Sequence, residues 1–559
     1  MIRPGAYLLA RLLKLPPPQF GVAVERSIPV TMPDGARLFA DHYLPKGAGD
    51  CPTILIRTPY GRGKEMALGN GLFLAELPAQ RFAERGYHVV VQGARGCYES
   101  EGVFRPHVNE ARDGLATGEW IAAQPWFNGA LGTWGPSYLG YMQWALAAGA
   151  PPYLKAMMVM VASAENYSVT HPDGAFGLET RLRWSQGMQL QARLHRQSRR
   201  SQLRQLFARD AERALQRAFA HLPLGEADAV AAGESIPFFL DLLAHTKPDD
   251  PFWVERDRSA AVGAVTAPVH LLGGWYDYYL RGLLRDYAAL ESAGRSPYLT
   301  IGPWNHAHTG GMFAGLRAGI DWFDAHLKGD RSRLRASPIS LYVMGAGEWR
   351  TMERFPPSAS PTRYYLGAGG SLGTTLPPAG SPPDGYRYDP ADPTPAPGGS
   401  LLAMRGAGAV DNRPLEARPD VLCYTTAPLE RDLEIAGRVR LELYARSSLP
   451  HTDFSGRLCD VSPDGRSTNV CDGLFRVEPG RGEVQPDGSL RIEIDLWATA
   501  HRFRQGHRLR LQVSSGAHPR WSRNLGTGES LATGVCMAAA DQAIYHDPAH
   551  PSAVVLPVA

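Results

Sequence analysis

The stretch Gly135-Pro136-Ser137-Tyr138-Leu139-Gly140 constrains this chain more than any other. A short apolar segment, Ala130-Leu131-Gly132-Thr133-Trp134, precedes it, and an apolar helical stretch, Tyr141-Met142-Gln143-Trp144-Ala145-Leu146-Ala147, follows it. Strand, sharp turn, helix is the layout of a nucleophile elbow, which lifts a serine hydroxyl clear of the backbone. The glycines leave room for a strained turn and for a substrate. The helix N-terminus behind the serine offers unpaired N–H groups to a developing oxyanion. One departure stands out: the place two after the serine, usually a small residue, holds Leu139, and the glycine comes one position later at Gly140. Alone, a glycine-flanked serine is a weak signal and reads more readily as a common structural turn than as a nucleophile.

An acyl-transfer serine needs a histidine base and an acid to orient it. On this kind of sheet the chain order is Ser, then Asp or Glu, then His. Val269-His270-Leu271-Leu272 reads as a buried strand running into Gly273-Gly274-Trp275-Tyr276-Asp277. Tyr298-Leu299-Thr300-Ile301 reads as another, ending at Gly302-Pro303-Trp304-Asn305-His306. Asp277 and His306 thus each follow a strand's C-terminal end, where open α/β sheets build their sites. Taken singly, Asp277 reads better as a helix N-cap. His308 competes with His306 as the base, and Asp286 is the nearby alternative acid.

Together these turns resemble the family of serine hydrolases that holds the cocaine esterases, X-prolyl dipeptidyl-peptidases, glutaryl acylases and α-amino acid ester hydrolases. Arg57-Thr58-Pro59-Tyr60-Gly61 resembles that family's oxyanion-hole turn, and Arg95-Gly96 with Ser100-Glu101-Gly102 another of its turns. Glu119-Trp120-Ile121-Ala122, Gln124-Pro125-Trp126 and Asn128-Gly129 lead into the elbow as in the family. The resemblance runs from about Val30 to the C-terminus. It implies Ser137 as nucleophile, His306 as general base and acid, Asp277 as the orienting carboxylate, and the Tyr60 hydroxyl with the Tyr138 backbone N–H as the oxyanion hole. Without it, Tyr60 reads as a core aromatic. The chain departs from the family at Gln92-Gly93-Ala94, Cys97 and Thr117-Gly118, which bears on pocket shape and not on the triad positions.

A chain of 559 residues is too long for one core. Lys and Arg total 58 against 55 Asp and Glu, so no field for a polyanion exists. Residues 1–165 alternate strands with helices as a doubly wound sheet does. Residues 166–265 have almost no strand signal and read as an inserted helical cap. Its arginines, among them Arg193, Arg196, Arg199, Arg200, Arg204, Arg209, Arg213 and Arg217, read as a solvated face, because no aromatic platform interleaves with them for nucleic acid. Residues 266–330 return to the sheet with the acid and histidine. Residues 331–559 carry period-two strands such as Val439-Arg440-Leu441-Glu442-Leu443, the mark of an antiparallel sandwich, which the resemblance makes a jelly roll. The expected fold is therefore an α/β-hydrolase with a helical cap and a C-terminal β-sandwich.

The N-terminal Tyr7–Leu15 run is too short and too charged for a signal or a membrane span; it reads as a lead-in helix, with an interfacial helix as the alternative. The six cysteines show no zinc spacing. Cys459 and Cys471 could pair across a hairpin, but free thiols are favoured, which points to a cytoplasmic location. The expected activity is cleavage of a small carboxylic ester through an acyl-enzyme, with no cofactor and no metal. An acylase or X-prolyl peptidase on the same residues is the alternative, although the chain is short for that subgroup and no acidic cluster stands out to hold a free amino terminus. A non-catalytic binding protein is the third. A homo-oligomer is compatible with the sequence. Trp275, Tyr276, Phe176 and Trp184 are candidates to line the substrate pocket, with plain core the better reading for Phe176 and Trp184.

Overall fold

In a computed structural model, which describes residues 2, 4–63, 72–195 and 210–559, ten strands form one sheet. In chain order they are β1 (Val22–Thr31), β2 (Arg37–Pro45), β3 (Thr53–Thr58), β4 (His88–Gly93), β5 (Leu131–Pro136), β6 (Leu154–Met160), β7 (Val269–Tyr276), β8 (Tyr298–Asn305), β9 (Ile339–Val343) and β10 (Glu348–Met352). The spatial order is β1-β2-β4-β3-β5-β6-β7-β8-β9-β10. From β4 through β9 every pairing is parallel, while β1, β2 and β10 join antiparallel at the edges. Parallel strands covered on both faces are continuously apolar, and β3, β5 and β7 are buried at every position.

Glycine sets how closely the elbow helix, Tyr138–Ala147, approaches the sheet. A Cβ on Gly140 would lie 2.4 Å from the Ala162 Cβ just past β6. A Cβ on Gly135 would lie 2.4 Å from that of Leu139. Leu139 therefore fits because Gly135 yields space to it, and the glycine at 140 meets β6. All ten residues of this helix are buried.

Between β6 and β7 the described chain is helical, including Leu178–His195, Asp210–Ala220 and Pro237–Ala244. These helices share an apolar core of Phe176, Leu182, Leu215, Phe219, Ile236 and Phe239. Of the arginines named above, Arg196, Arg199, Arg200, Arg204 and Arg209 lie outside the described residues.

The second sheet begins at Ser360–Gly367 and takes in twelve strands, ten along its main path and two, Glu483–Val484 and Leu490–Phe503, pairing off it. Its strands alternate as the sequence does: Val439, Leu441 and Leu443 are buried. The expected start of the sandwich at 331 falls before β9 and β10, which hydrogen-bond into the hydrolase sheet instead. At the far end of β9, Met344 exchanges backbone hydrogen bonds with the sandwich: its N–H donates to Ala500 O (2.9 Å), and its carbonyl accepts from Arg502 N (2.8 Å). The N-terminal helix Pro4–Leu12 docks through the buried Ala6 and Ala10, leaving Tyr7, Leu8 and Leu12 exposed. Among the described residues no helix is long and apolar enough to cross a membrane. All six cysteines are free, Cys459 and Cys471 included.

Candidate active site

Ser137 sits directly after β5 with φ 56° and ψ −125°. A non-glycine residue at positive φ is strained and persists only where its surroundings fix it. Here its N–H donates to Met160 O at the end of β6 (2.8 Å), and the buried helix anchors the other side. β7 ends at Tyr276 and β8 at Asn305, so Asp277 and His306 emerge from the same sheet edge. His306 Nε2 lies 3.0 Å from Ser137 Oγ. His306 Nδ1 lies 2.8 Å from Asp277 Oδ2. Asp277 is fully buried, and its second oxygen accepts from Tyr279 N (2.7 Å). The imidazole packs on Tyr278 with ring centroids 4.3 Å apart.

The rival residues are elsewhere. His308 is the N-cap of helix Thr309–Leu327, its Nδ1 accepting from Gly310 N (3.1 Å). Asp286 is buried and accepts from Ala164 N (2.9 Å). Burial holds its carboxyl well above the usual aspartate range.

Tyr60 lies beyond β3 and is buried. Its hydroxyl accepts from Trp184 Nε1 (3.0 Å), and Ser137 is another polar neighbour. Burial raises its pKa, so it stays a neutral donor at physiological pH. With Trp184 on one lone pair, its single O–H is free to point toward the serine. The Tyr138 N–H occupies the first helical position, where no intrahelical acceptor exists. The Tyr138 ring is fixed underneath: its hydroxyl donates to Glu110 Oε1 (2.7 Å) and accepts from His107 N (2.8 Å). Burial lifts the Glu110 carboxyl above its ordinary pKa, against the pull of Arg57 beside it.

Of the four aromatic candidates only Trp184 reaches the site. It stacks on Tyr138 with centroids 6.1 Å apart. Trp275 and Tyr276 do not line the cavity: Trp275 points at β9 and donates to Tyr342 O (2.7 Å), and Tyr276 points into the sandwich and donates to Asn469 O (3.0 Å). Phe176 is wholly enclosed in the cap core against Phe239. The chamber at Ser137 is only about 10 Å³, walled by Tyr60, Tyr138, Trp184, Tyr278 and Tyr279 among others. Past Trp184, His107 and Arg181 it adjoins a cavity of about 540 Å³ that Phe104, Met188, Phe238 and Trp253 help to line. Sequence reasoning passed over Arg181, although an arginine three residues before Trp184 on a helix shares its face. Gly96, at φ +70°, lets the cavity-lining loop close: a Cβ there would lie 2.2 Å from Phe104 N. Arg95 clamps this loop through two bonds to buried Asp113 (2.8 and 2.6 Å). No group of side chains suited to a metal ion occurs among the described residues.

An α/β-hydrolase sheet and C-terminal sandwich with this elbow define the class, a serine hydrolase. Residues 34–308 match the model of the X-Pro dipeptidyl-peptidase S15 family, and residues 334–555 match that of the X-Pro dipeptidyl-peptidase C-terminal non-catalytic domain. The chain is 34% identical to a cocaine esterase of Rhodococcus sp. (strain MB1 Bresler), covering 96% of this chain and 98% of that one. An α-amino acid ester hydrolase superposes with a TM-score of 0.82 at 25% identity over 97% of each chain. An aminopeptidase of the marine sediment archaeon Thaumarchaeota archaeon has the same fold, with a TM-score of 0.81 at 24% identity over 97% of this chain and 96% of that one. The chain belongs to the S15 family and is a cocaine esterase-like hydrolase.

Proposed function

We propose that the protein cleaves a carboxylic ester through an acyl-enzyme on Ser137. The observation that carries this is the pair of contacts through His306, to Ser137 Oγ at 3.0 Å and to Asp277 Oδ2 at 2.8 Å. His306 Nε2 takes the proton as Ser137 Oγ attacks the ester carbonyl, and Asp277 holds the tautomer that leaves Nε2 free to accept it. The tetrahedral oxyanion is received by the Tyr60 hydroxyl and the Tyr138 N–H, both aimed before charge develops. The tetrahedral intermediate collapses, the alkoxide leaves with the proton returned from His306, and the acyl group stays on Ser137. Water, deprotonated by His306, repeats the sequence and releases the acid. No cofactor or metal takes part.

An X-prolyl peptidase must hold a cationic amino terminus. The sole carboxylate on the cavity wall among the described residues is Asp241, and it is exposed, which favours the ester reading. The six free thiols support a reducing, cytoplasmic setting. The test is labelling by a fluorophosphonate probe with turnover of p-nitrophenyl esters and matched anilides. The wild type should label and cleave esters. Ser137→Ala should do neither and stay folded, losing about 10⁴-fold or more in rate. Full labelling of that variant would move the nucleophile elsewhere, and an unlabelled wild type would favour a binding protein.

A further inference from the structure

Beside Ser137 stands a buried charge with nothing to neutralise it. Arg181, on the cap helix Leu178–His195, is 6% exposed and lines both the chamber at Ser137 and the larger cavity. Its Nε and Nη2 have no hydrogen-bond partner, and no carboxylate among the described residues pairs with it. Its protein-side neighbour is the Tyr279 hydroxyl, which itself donates to Asn166 Oδ1 (3.0 Å). Two other arginines of the cap, Arg183 and Arg256, have their partners. Arg183 pairs with Glu179 and Glu212, each at 2.6 Å. Buried Arg256 donates to Phe252 O (2.6 Å) and Pro106 O (3.2 Å). Burying a guanidinium without an acceptor is strongly unfavourable, so a fold that keeps one has a use for it. His107 Nε2 and Asn166 Nδ2, on the same cavity wall, are also buried and without partners. Arg105, Arg181 and Arg256 face that cavity against one carboxylate, Asp241.

We propose that Arg181 receives a carboxylate of the substrate, so that the natural ester carries an anionic group besides the bond that is cleaved. Nε and Nη2 form one edge of the planar guanidinium, the edge that meets both oxygens of a carboxylate in parallel. Asn166 Nδ2 offers a further donor from the same wall. The assignment rests on the ester-hydrolase reading of Ser137. The anionic group sits on the acyl part or on the alcohol part, and matched substrates separate the two.

The experiment compares p-nitrophenyl hydrogen succinate with p-nitrophenyl pentanoate, and 4-acetoxybenzoate with 4-acetoxybenzamide. kcat/KM is measured for the wild type, Arg181→Leu and Arg181→Lys. The wild type should prefer the anionic member of one pair. Arg181→Leu should lower the anionic-to-neutral ratio by about 10–100-fold, the size of a hydrogen-bonded charge contact, chiefly through KM. Arg181→Lys should restore part of it, a point charge replacing the fork. Arg181→Leu should melt at or above the wild-type temperature, because the charge it removes has no partner. A packing role predicts the reverse: a lower melting temperature with the ratio unchanged, which overturns the proposal. A second measurement needs no variant: succinate or benzoate should protect Ser137 from the fluorophosphonate probe better than succinamide or benzamide. Equal protection, or no anionic preference in either pair while neutral esters turn over, sinks the proposal alone. If neither ester turns over and Ser137 does not label, the ester-hydrolase reading falls and the proposal with it.

Discussion

Replacing Tyr60 by Phe deletes one oxygen and leaves the buried ring in place. Two bonds involve that oxygen. One is the acceptor for Trp184 Nε1 at 3.0 Å; the other is the donor that the proposed mechanism aims at the oxyanion. Loss of the first leaves a half-buried indole N–H at a cavity wall, where water can replace the acceptor, so the stability cost is at most about 1 kcal/mol. Loss of the second removes an interaction made only as charge develops, worth about 10²–10³-fold in kcat, or about 2.7–4 kcal/mol. The two quantities differ enough to be told apart on one preparation. The assay is kcat for a p-nitrophenyl ester at saturation beside a urea unfolding midpoint. The expected result is a large drop in kcat, a small change in KM and a nearly unmoved midpoint. A variant with kcat within about threefold of wild type and a clearly lowered midpoint would refute the donor role and make Tyr60 an anchor for the cap.

Three further outcomes are expected. Asp277→Asn should stay folded yet lose about 10⁴-fold in kcat, because the wrong imidazole tautomer then faces Ser137; near-wild-type turnover would remove Asp277 from the mechanism. His308→Ala should keep its kcat and lose about 0.5–2 kcal/mol of stability by thermal melting, since the ring caps a helix. Asp286→Asn should flatten the pH dependence of stability. Burial raises the Asp286 pKa in the folded state, so the protonated form is favoured there, and the wild type loses stability as pH rises from the unfolded aspartate value, about 3.9, toward the raised native one. The amide keeps an acceptor for Ala164 N and does not titrate; urea midpoints across that window that run parallel for both proteins would count against it.

That Ser137, Asp277 and His306 come together was legible in the sequence because each follows a strand whose apolar run ends in a glycine-bearing turn, and a parallel sheet delivers all such ends to one edge. The pocket was not legible in the same way. Trp275 and Tyr276 are neighbours on one strand and point to opposite faces, one toward β9 and one into the sandwich, so nearness to Asp277 in sequence said nothing about the cavity. Trp184 and Arg181 come from a helix more than 40 residues from the elbow, and only the packing of the cap brings them over Ser137. β10 escaped notice as part of the first sheet because a short edge strand carries a weak pattern, and Glu348–Met352 has no fully buried residue; β9 alternates cleanly, but alternation does not say which sheet a strand joins.

The bond from Trp184 to Tyr60 joins two parts of the molecule with different claims to stability. Tyr60 and Tyr138 belong to the central core, against which the indole packs, whereas the helix that carries the indole contributes Leu178 and Leu182 to a separate small core. Units of that kind open locally at a free energy below that of global unfolding. Each such opening would unseat the indole from the tyrosine oxygen and turn the chamber at Ser137 into open solvent, while the serine, histidine and aspartate kept their places. Catalysis in this protein would then be extinguished by heat or denaturant in two stages, the first invisible to any probe of the sheet.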